Sequence, residues 1–380
     1  MNEFGLYLHV PFCRQKCFYC DFASYAGAEH LFTAYTAALC QQIAEQGGLL
    51  CKPAVDTIYI GGGTPSLLPV QLLTQIMTAL DRSFSIQREA EISMEANPGT
   101  VTKNQLTVLK AAGINRLSFG VQSFNDSLLA RLGRIHQTAD TLAALDYAYR
   151  AGFTNISIDL MYGLPGQRAE GFARELEQAA ALETAHLSVY GLKLEAGTPF
   201  CSAYDQGLLA LPDEIAEEAM YDLMVEVLPG QGLRRYEISN FARPGRECRH
   251  NLKYWHYQPY LGLGAAAHSF VNGERTSAVP AIEEYIRAIK AGSSPVIMRE
   301  KLTRAQAIAE YIFLALRTTQ GLKAADFTRQ FHLDFFIHFA HTFNELRQQK
   351  LLATNGRRVW LTDKGMKFSN LVFAAFIDDH

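Results

Sequence analysis

The chain has 380 residues, enough for one large domain with a smaller appendage. Apolar residues make up 48 % of it and the net charge is −3, which excludes a disordered chain and gives no electrostatic footprint for nucleic acid. Seven cysteines, three of them clustered, do not suit a secreted disulfide framework; Met1-Asn2-Glu3 lacks a basic leader and no run of about twenty apolar residues spans a membrane, so a reducing, cytoplasmic setting is expected.

Leu6 to Val10 alternates in hydropathy and predicts a strand that Pro11 ends. A helix is expected over 29–46, where Leu31, Tyr35, Leu39 and Ile43 recur at fours. Val55 to Ile60 reads as a strand running into Gly61-Gly62-Gly63-Thr64-Pro65, and 67–84 as a helix. Glu91 to Glu95 is a strand ending at Asn97-Pro98-Gly99, followed by a helix that Thr102 caps and Gly113 stops. Arg116 to Gln122 is a strand, 125–132 and 138–151 are helices, and Thr154 to Leu160 is a strand. A helix over 168–182 and a strand from His186 to Tyr190 complete the series.

Six strands alternating with helices predict an α/β fold of parallel βαβ units, wound into a barrel or partial barrel, with a doubly wound open sheet as the competing fold. In a βα barrel the chemistry sits at the carboxyl ends of the strands. Cys13 to Cys20, Gly61 to Thr64, Glu95, Gln122, Asp159 and Lys193 fall at such ends. Beyond residue 200 the pattern loosens: a helix over 212–228, an added strand at Tyr236 to Ser239, and loop over 243–264 are expected. Helices at 304–316, 323–330 and 334–349, a hairpin turning at Asn355-Gly356 and a last helix capped by Thr362 suggest a winged-helix-like module, used for packing since it is not strongly basic. The boundaries read as 1–200 for the barrel, 201–300 for an extension and 301–380 for the C-terminal module.

Cys13, Cys17 and Cys20 are spaced C-x3-C-x2-C after the first strand. Closely spaced loop thiolates hold iron–sulfur clusters, and three of them leave one iron of a four-iron cluster open to a ligand. A zinc site completed by His9 or a distant histidine, or three unrelated small hydrophobes, are the alternatives. The glycine run permits close backbone approach to a ligand, and equally makes a plain tight turn. Glu95 is either solvated or part of a convergent polar site. Arg134 could anchor a carboxylate or be a surface residue, whereas Asp159 inside an apolar strand needs partners. His250, Tyr254 and Trp255 lie close in the chain; an imidazole can ligate heme iron and aromatics can cover a porphyrin, but a packed His–Trp corner explains them too.

The cysteine run, with Tyr19 just before its last cysteine, resembles the signature of the radical S-adenosylmethionine (SAM) proteins. Tyr7-x-His9-x-Pro11-Phe12-Cys13 resembles the branch of that superfamily holding oxygen-independent coproporphyrinogen dehydrogenases and heme chaperones, and the likeness runs nearly end to end. It implies a radical SAM partial (β/α)6 barrel with a [4Fe–4S] cluster on Cys13, Cys17 and Cys20. It also implies SAM contacts at Tyr7, Tyr19, Gly62, Gly63, Thr64, Glu95, Gln122, Arg134, Asp159 and Lys193. The dehydrogenases carry a further cysteine, C-x2-C-x-C, where this chain has Asp21-Phe22, and a long N-terminal extension, where only a few residues precede the first strand here. Cys248-Arg-His250-Asn251-Leu-Lys-Tyr254-Trp255 resembles the H-N-x-x-Y-W motif of the heme chaperones. The resemblance therefore implies heme contact at His250, Asn251, Tyr254 and Trp255, with Cys248 and His268 as further candidate ligands, and transfer of heme to an acceptor protein such as a respiratory enzyme. Coproporphyrinogen decarboxylation is the competing activity and is not expected; a tRNA-modifying enzyme is a third reading, which the charge counts against. A cluster-linked homodimer and membrane association through a partner stay open.

Overall fold

A computed structural model describes residues 4–377. Strand and helix alternate through the first half. β1 (Phe4–Val10) is followed by two short strands, β2 (Phe12–Cys13) and β3 (Tyr25–Ala26), then α1 (Phe32–Leu49), β4 (Ala54–Gly62), α2 (Val70–Ser83), β5 (Ser85–Ala96) and α3 (Lys103–Ala111). Next come β6 (Arg116–Gln122), α4 (Asp126–Arg131), α5 (Thr138–Arg150), β7 (Asn155–Tyr162), α6 (Ala169–Ala181) and β8 (His186–Gly191). β1, β4, β5, β6, β7 and β8 pair in parallel in that order. Neither outer strand pairs with the other: β8 continues onto β10 and β1 onto β11, so the six units form a partial barrel. The helix stops follow the expected chemistry. Thr102 Oγ1 accepts the Gln105 amide at 3.2 Å, and Gly113 takes a φ of +103° that closes α3.

The alternation along the strands sorts the residues onto two faces. Leu6, Leu8, Val10, Ile58, Ile60, Met94, Leu117, Phe119, Ile156, Ile158 and Leu187 are buried in one apolar core with the helices. The intervening positions point inward and are largely polar: Thr57 and Tyr59 on β4, Glu91, Ser93 and Glu95 on β5, Arg116 and Ser118 on β6, Ser157 and Asp159 on β7, His186 on β8. Contacts between neighbouring strands across this interior, such as Tyr59–Glu95 and Ser157–His186, establish the facing.

The second half departs from expectation in three places. α7 (Pro199–Asp205) and α8 (Glu214–Gly230) lead to β9 (Arg234–Arg235) and β10 (Asn240–Ala242), so Tyr236 to Ser239 is the turn between two short strands and not a strand. The stretch 243–264 is not mostly loop: it carries α9 (Arg249–Trp255) and β11 (Tyr260–Leu263), the latter parallel to β1. β12 (His268–Val271), β13 (Glu274–Ala278), α10 (Ile282–Lys290) and β14 (Val296–Lys301) then extend the sheet in antiparallel fashion.

A second apolar core gathers Ile308, Ile312, Phe327, Phe335, Phe339, Val359 and Phe376. It is built by α11 (Arg304–Arg317), β15 (Leu322–Lys323), α12 (Ala324–Phe331), α13 (Phe335–His338), α14 (Ala340–Gln348), β16 (Leu352–Thr354), β17 (Arg358–Leu361), α15 (Asp363–Lys367) and α16 (Ser369–Ile377). The single helix expected over 334–349 is two, broken at Phe339 (φ −106°, ψ 27°). Buried Glu237 fastens this module to the barrel: Arg317 Nη2 reaches its carboxylate at 3.3 Å, and the same guanidinium lies 4.5 Å from the Trp255 ring centroid. Among the described residues no helix is long and apolar enough to cross a membrane.

Candidate cofactor-binding site

β1 stops at Pro11 and releases the cysteine loop over the carboxyl ends of the strands. The parallel pairing of Phe12 with Tyr25 and Cys13 with Ala26 closes that loop at its base. Cys13, Cys17 and Cys20 are free, partly exposed thiols that line one cavity of about 310 Å³. The loop is held against the glycine run: the Gly63 amide donates to Val10 O at 2.9 Å and the Thr64 amide to Phe12 O at 2.7 Å. No side chain fits there. A Cβ on Gly63 would stand 2.6 Å from Phe12 O, and on Gly62, whose φ is +110°, 2.5 Å from the His9 ring.

Gly62, Gly63 and Thr64 line the cavity from β4, Glu95 from β5, Gln122 from β6 and Asp159 from β7. Tyr19, Arg134 and Lys193 join them from loops. Thr64 Oγ1 lies 3.6 Å from Cys13 Sγ and accepts Asn97 Nδ2 at 2.9 Å. Arg134 does not point a free fork into the space: Nη1 donates to Cys17 Sγ at 3.4 Å and Nη2 to Asn97 Oδ1 and Gly120 O at 2.7 and 2.5 Å. Glu95 accepts the Tyr59 hydroxyl at 2.9 Å and the Gly62 amide at 3.0 Å. Burial and the nearby Asp159 push its carboxyl up to about 7, and burial pushes Asp159, which accepts from Ser118 at 3.3 Å, up to about 6. Burial also raises the Cys20 thiol. Lys193 sits exposed at the rim, paired with Glu195 at 2.6 Å.

Gln122 stands out in the cavity wall: its φ of +69° is costly for a residue with a side chain, and its buried Oε1 has no hydrogen-bond partner among the described residues. The thiols fit a polynuclear cluster. The three come from one short loop and line one cavity, as suits a cluster that takes each thiolate on a separate iron.

Several side chains the sequence reading passed over also line the cavity: Asn97, Ser118, Met161 and Tyr190. Asn97 follows a strand end directly and Ser118 shares the inward face with Gln122, so position along the strands signals both.

Tyr7 is expected at the cavity and is not among the residues that line it here; its hydroxyl lies 2.9 Å from His9 Nδ1. The α9 residues are also elsewhere. The His250 ring is wholly buried, with Nδ1 2.9 Å from Thr57 Oγ1 and Nε2 2.8 Å from the Tyr254 hydroxyl. In this arrangement the structure does not present His250 to a ligand, because both ring nitrogens are taken. Asn251, Tyr254 and Trp255 are half-buried. Cys248 is buried with its thiol pushed up to about 12 by desolvation, 3.7 Å from Glu91 Oε1, while His268 is exposed.

Residues 7–179 match the model of the Radical SAM superfamily and residues 302–368 that of the HemN C-terminal domain. The chain is 36 % identical to the heme chaperone HemW of Bacillus subtilis over 98 % of its own length and 99 % of the relative's. Against the heme chaperone HemW of Escherichia coli it is 39 % identical over 70 % of each chain. The solved structure of the coproporphyrinogen III oxidase HemN of Escherichia coli, described as a radical SAM enzyme, superposes with a TM-score of 0.87 at 26 % identity, covering 99 % of this chain and 90 % of that one. The chain belongs to the HemW family of the radical SAM superfamily.

Proposed function

We propose that this protein is a heme chaperone: it binds heme, holds a [4Fe–4S] cluster on Cys13, Cys17 and Cys20 with exchangeable SAM, and passes heme to an acceptor protein such as a respiratory enzyme. The likeness to proteins named heme chaperone over nearly the whole chain supports the heme part. The observation that carries the cofactor part is the cavity in which three thiols face a glycine wall, two carboxyls of raised pKa and the unpaired Gln122 oxygen. When bound, the cluster supplies an open iron position and a single electron. Around it, Glu95 would receive a ligand ammonium, Gln122 Oε1 would accept a ligand donor, and Gly62 to Thr64 would let the ligand approach the backbone. With His250 held as described, heme iron would take another ligand or α9 would have to open.

The close superposition on HemN favours a second reading, oxidative decarboxylation of coproporphyrinogen III. Asp21-Phe22, in place of the dehydrogenases' further cysteine, speaks against it. Heme titration by absorbance on anaerobically reconstituted protein separates the two, with a coproporphyrinogen assay beside it. A saturable, near-stoichiometric Soret band without decarboxylation is expected. Absence of specific heme binding, or turnover of the porphyrinogen, would overturn the chaperone reading.

A further inference from the structure

The interior beneath the cavity is a column of polar and aromatic side chains, and one path through it joins the cavity to α9. At its upper end Glu95 Oε1 accepts the Tyr59 hydroxyl at 2.9 Å, while Glu95 Oε2 holds the Gly62 amide. The Tyr59 ring stacks on the His250 ring, with centroids 5.4 Å apart and planes 27° apart. It also meets the Tyr7 ring, at 6.4 Å and 23°. Tyr59 thus contacts both rings, and its hydroxyl is aimed at Glu95.

At the lower end His250 is clamped. Thr57 and Tyr59 are two residues apart on β4 and share its inward face, so one strand supplies both the partner of Nδ1 and the ring stacked on the imidazole. The Tyr254 hydroxyl holds Nε2, and the His250 amide donates to Glu91 Oε1 at 3.2 Å. Such clamping fixes the ring plane, which fixes the plane of Tyr59.

We infer that His250 is a positioning residue of the cofactor cavity: acting through Tyr59, it holds Glu95 and the Gly62 amide where a bound ligand meets them. The inference rests on the cofactor part of the proposed function and does not depend on heme binding. It gives the α9 motif a task inside the barrel that its spelling does not suggest.

The test uses the full chain, reconstituted anaerobically, with SAM binding followed by calorimetry. His250→Ala and Tyr59→Phe should each weaken SAM binding about tenfold, roughly the worth of one hydrogen bond. Combining them should add little, since both cut one path, and iron content should stay at the wild-type level. In the cofactor-free chain, amide exchange at Gly61 to Thr64 should quicken in both variants while the β7 amides keep their rates. If His250→Ala does not fold, Thr57→Val frees one ring nitrogen only and should still weaken SAM binding by about threefold or more. SAM affinity within about twofold of wild type in the folded variant, or losses that add in the double variant, would overturn the inference. Heme titration of the same preparations keeps the two proposals apart. Coupled losses of SAM affinity in a protein that binds no heme support this inference and sink the chaperone reading. Heme binding with SAM affinity unmoved does the reverse.

Discussion

The two ends of the same six strands use similar inward-facing residues for different purposes. At the carboxyl ends the strands loosen into loops, and the inward groups Glu95, Gln122 and Asp159 open onto a cavity with glycine walls and an unpaired oxygen. Toward the amino-terminal ends α9 packs against inward-facing Thr57 and Glu91, and Arg116, His186, His250 and Cys248 are buried there. Arg116 is wholly buried near Glu91, Cys248, Tyr59 and Tyr236, and its pKa stays raised despite desolvation. The lesson is that residue type does not separate binding from support in this barrel. Access does, and access follows from which end of a strand a residue occupies.

Changes at the open end should strike binding, and changes at the closed end should strike folding. The largest effect is expected at the thiols: Cys17→Ser should bring iron after reconstitution down to background, read by iron analysis, with little change in melting of the cofactor-free chain. Arg116→Met should do the opposite. It removes a wholly buried side chain and the positive charge near buried Glu91, and should cost about 1–3 kcal/mol in denaturant unfolding. A variant melting like wild type would break the comparison.

The Glu95 carboxyl links the two ends through pH. Its folded pKa is raised from 4.5 to about 7, so its stabilising contribution is complete below about pH 4.5 and is lost as pH rises through about 7. The loss should be on the order of 2 kcal/mol in the cofactor-free chain, cut from the full linkage value because the carboxyl borders an open cavity. Unfolding measured from pH 5 to 8 should show this slope, and Glu95→Gln should reduce it to the smaller part that Asp159, raised to about 6, contributes at the acid end. Gln122→Gly sharpens the contrast further. It relieves the φ of +69° and should raise stability by about 0.5–1 kcal/mol while weakening SAM binding about tenfold. The smallest effect is expected for Lys193→Ala, since this lysine is exposed and paired with Glu195: SAM affinity should change by less than about twofold.

Much of the open end is legible in the sequence, because strand periodicity and strand-ending Gly, Pro and Asn mark where the carboxyl ends lie. That logic puts the cysteine loop, Gly62 to Thr64, Glu95, Gln122 and Asp159 at strand ends, while their assignment as ligand contacts is what the family resemblance implies. The closed end is not legible in the same way. The Pro and Gly residues between 243 and 264 read as loop, yet α9 forms between them and is fixed by His250, whose partners Thr57 and Tyr254 come from two different elements. β5 begins at Ser85 and not at Glu91, because the charged run Gln87-Arg88-Glu89 hides an extended edge in which Ala54 and Val55 of β4 pair with Ser85 and Ile86. Tyr59 reads as one more strand residue, and its ring contacts with Tyr7 and His250 emerge only in the fold.

The open end, read as a site where SAM meets a cluster, is the feature most directly open to test. Electron paramagnetic resonance of the reduced, reconstituted wild-type protein, recorded with and without SAM, tests this in one comparison. A [4Fe–4S] signal that changes when SAM is added is predicted, because three thiolates leave one iron for the ligand. A signal unchanged by saturating SAM, or no cluster signal at all, would contradict it.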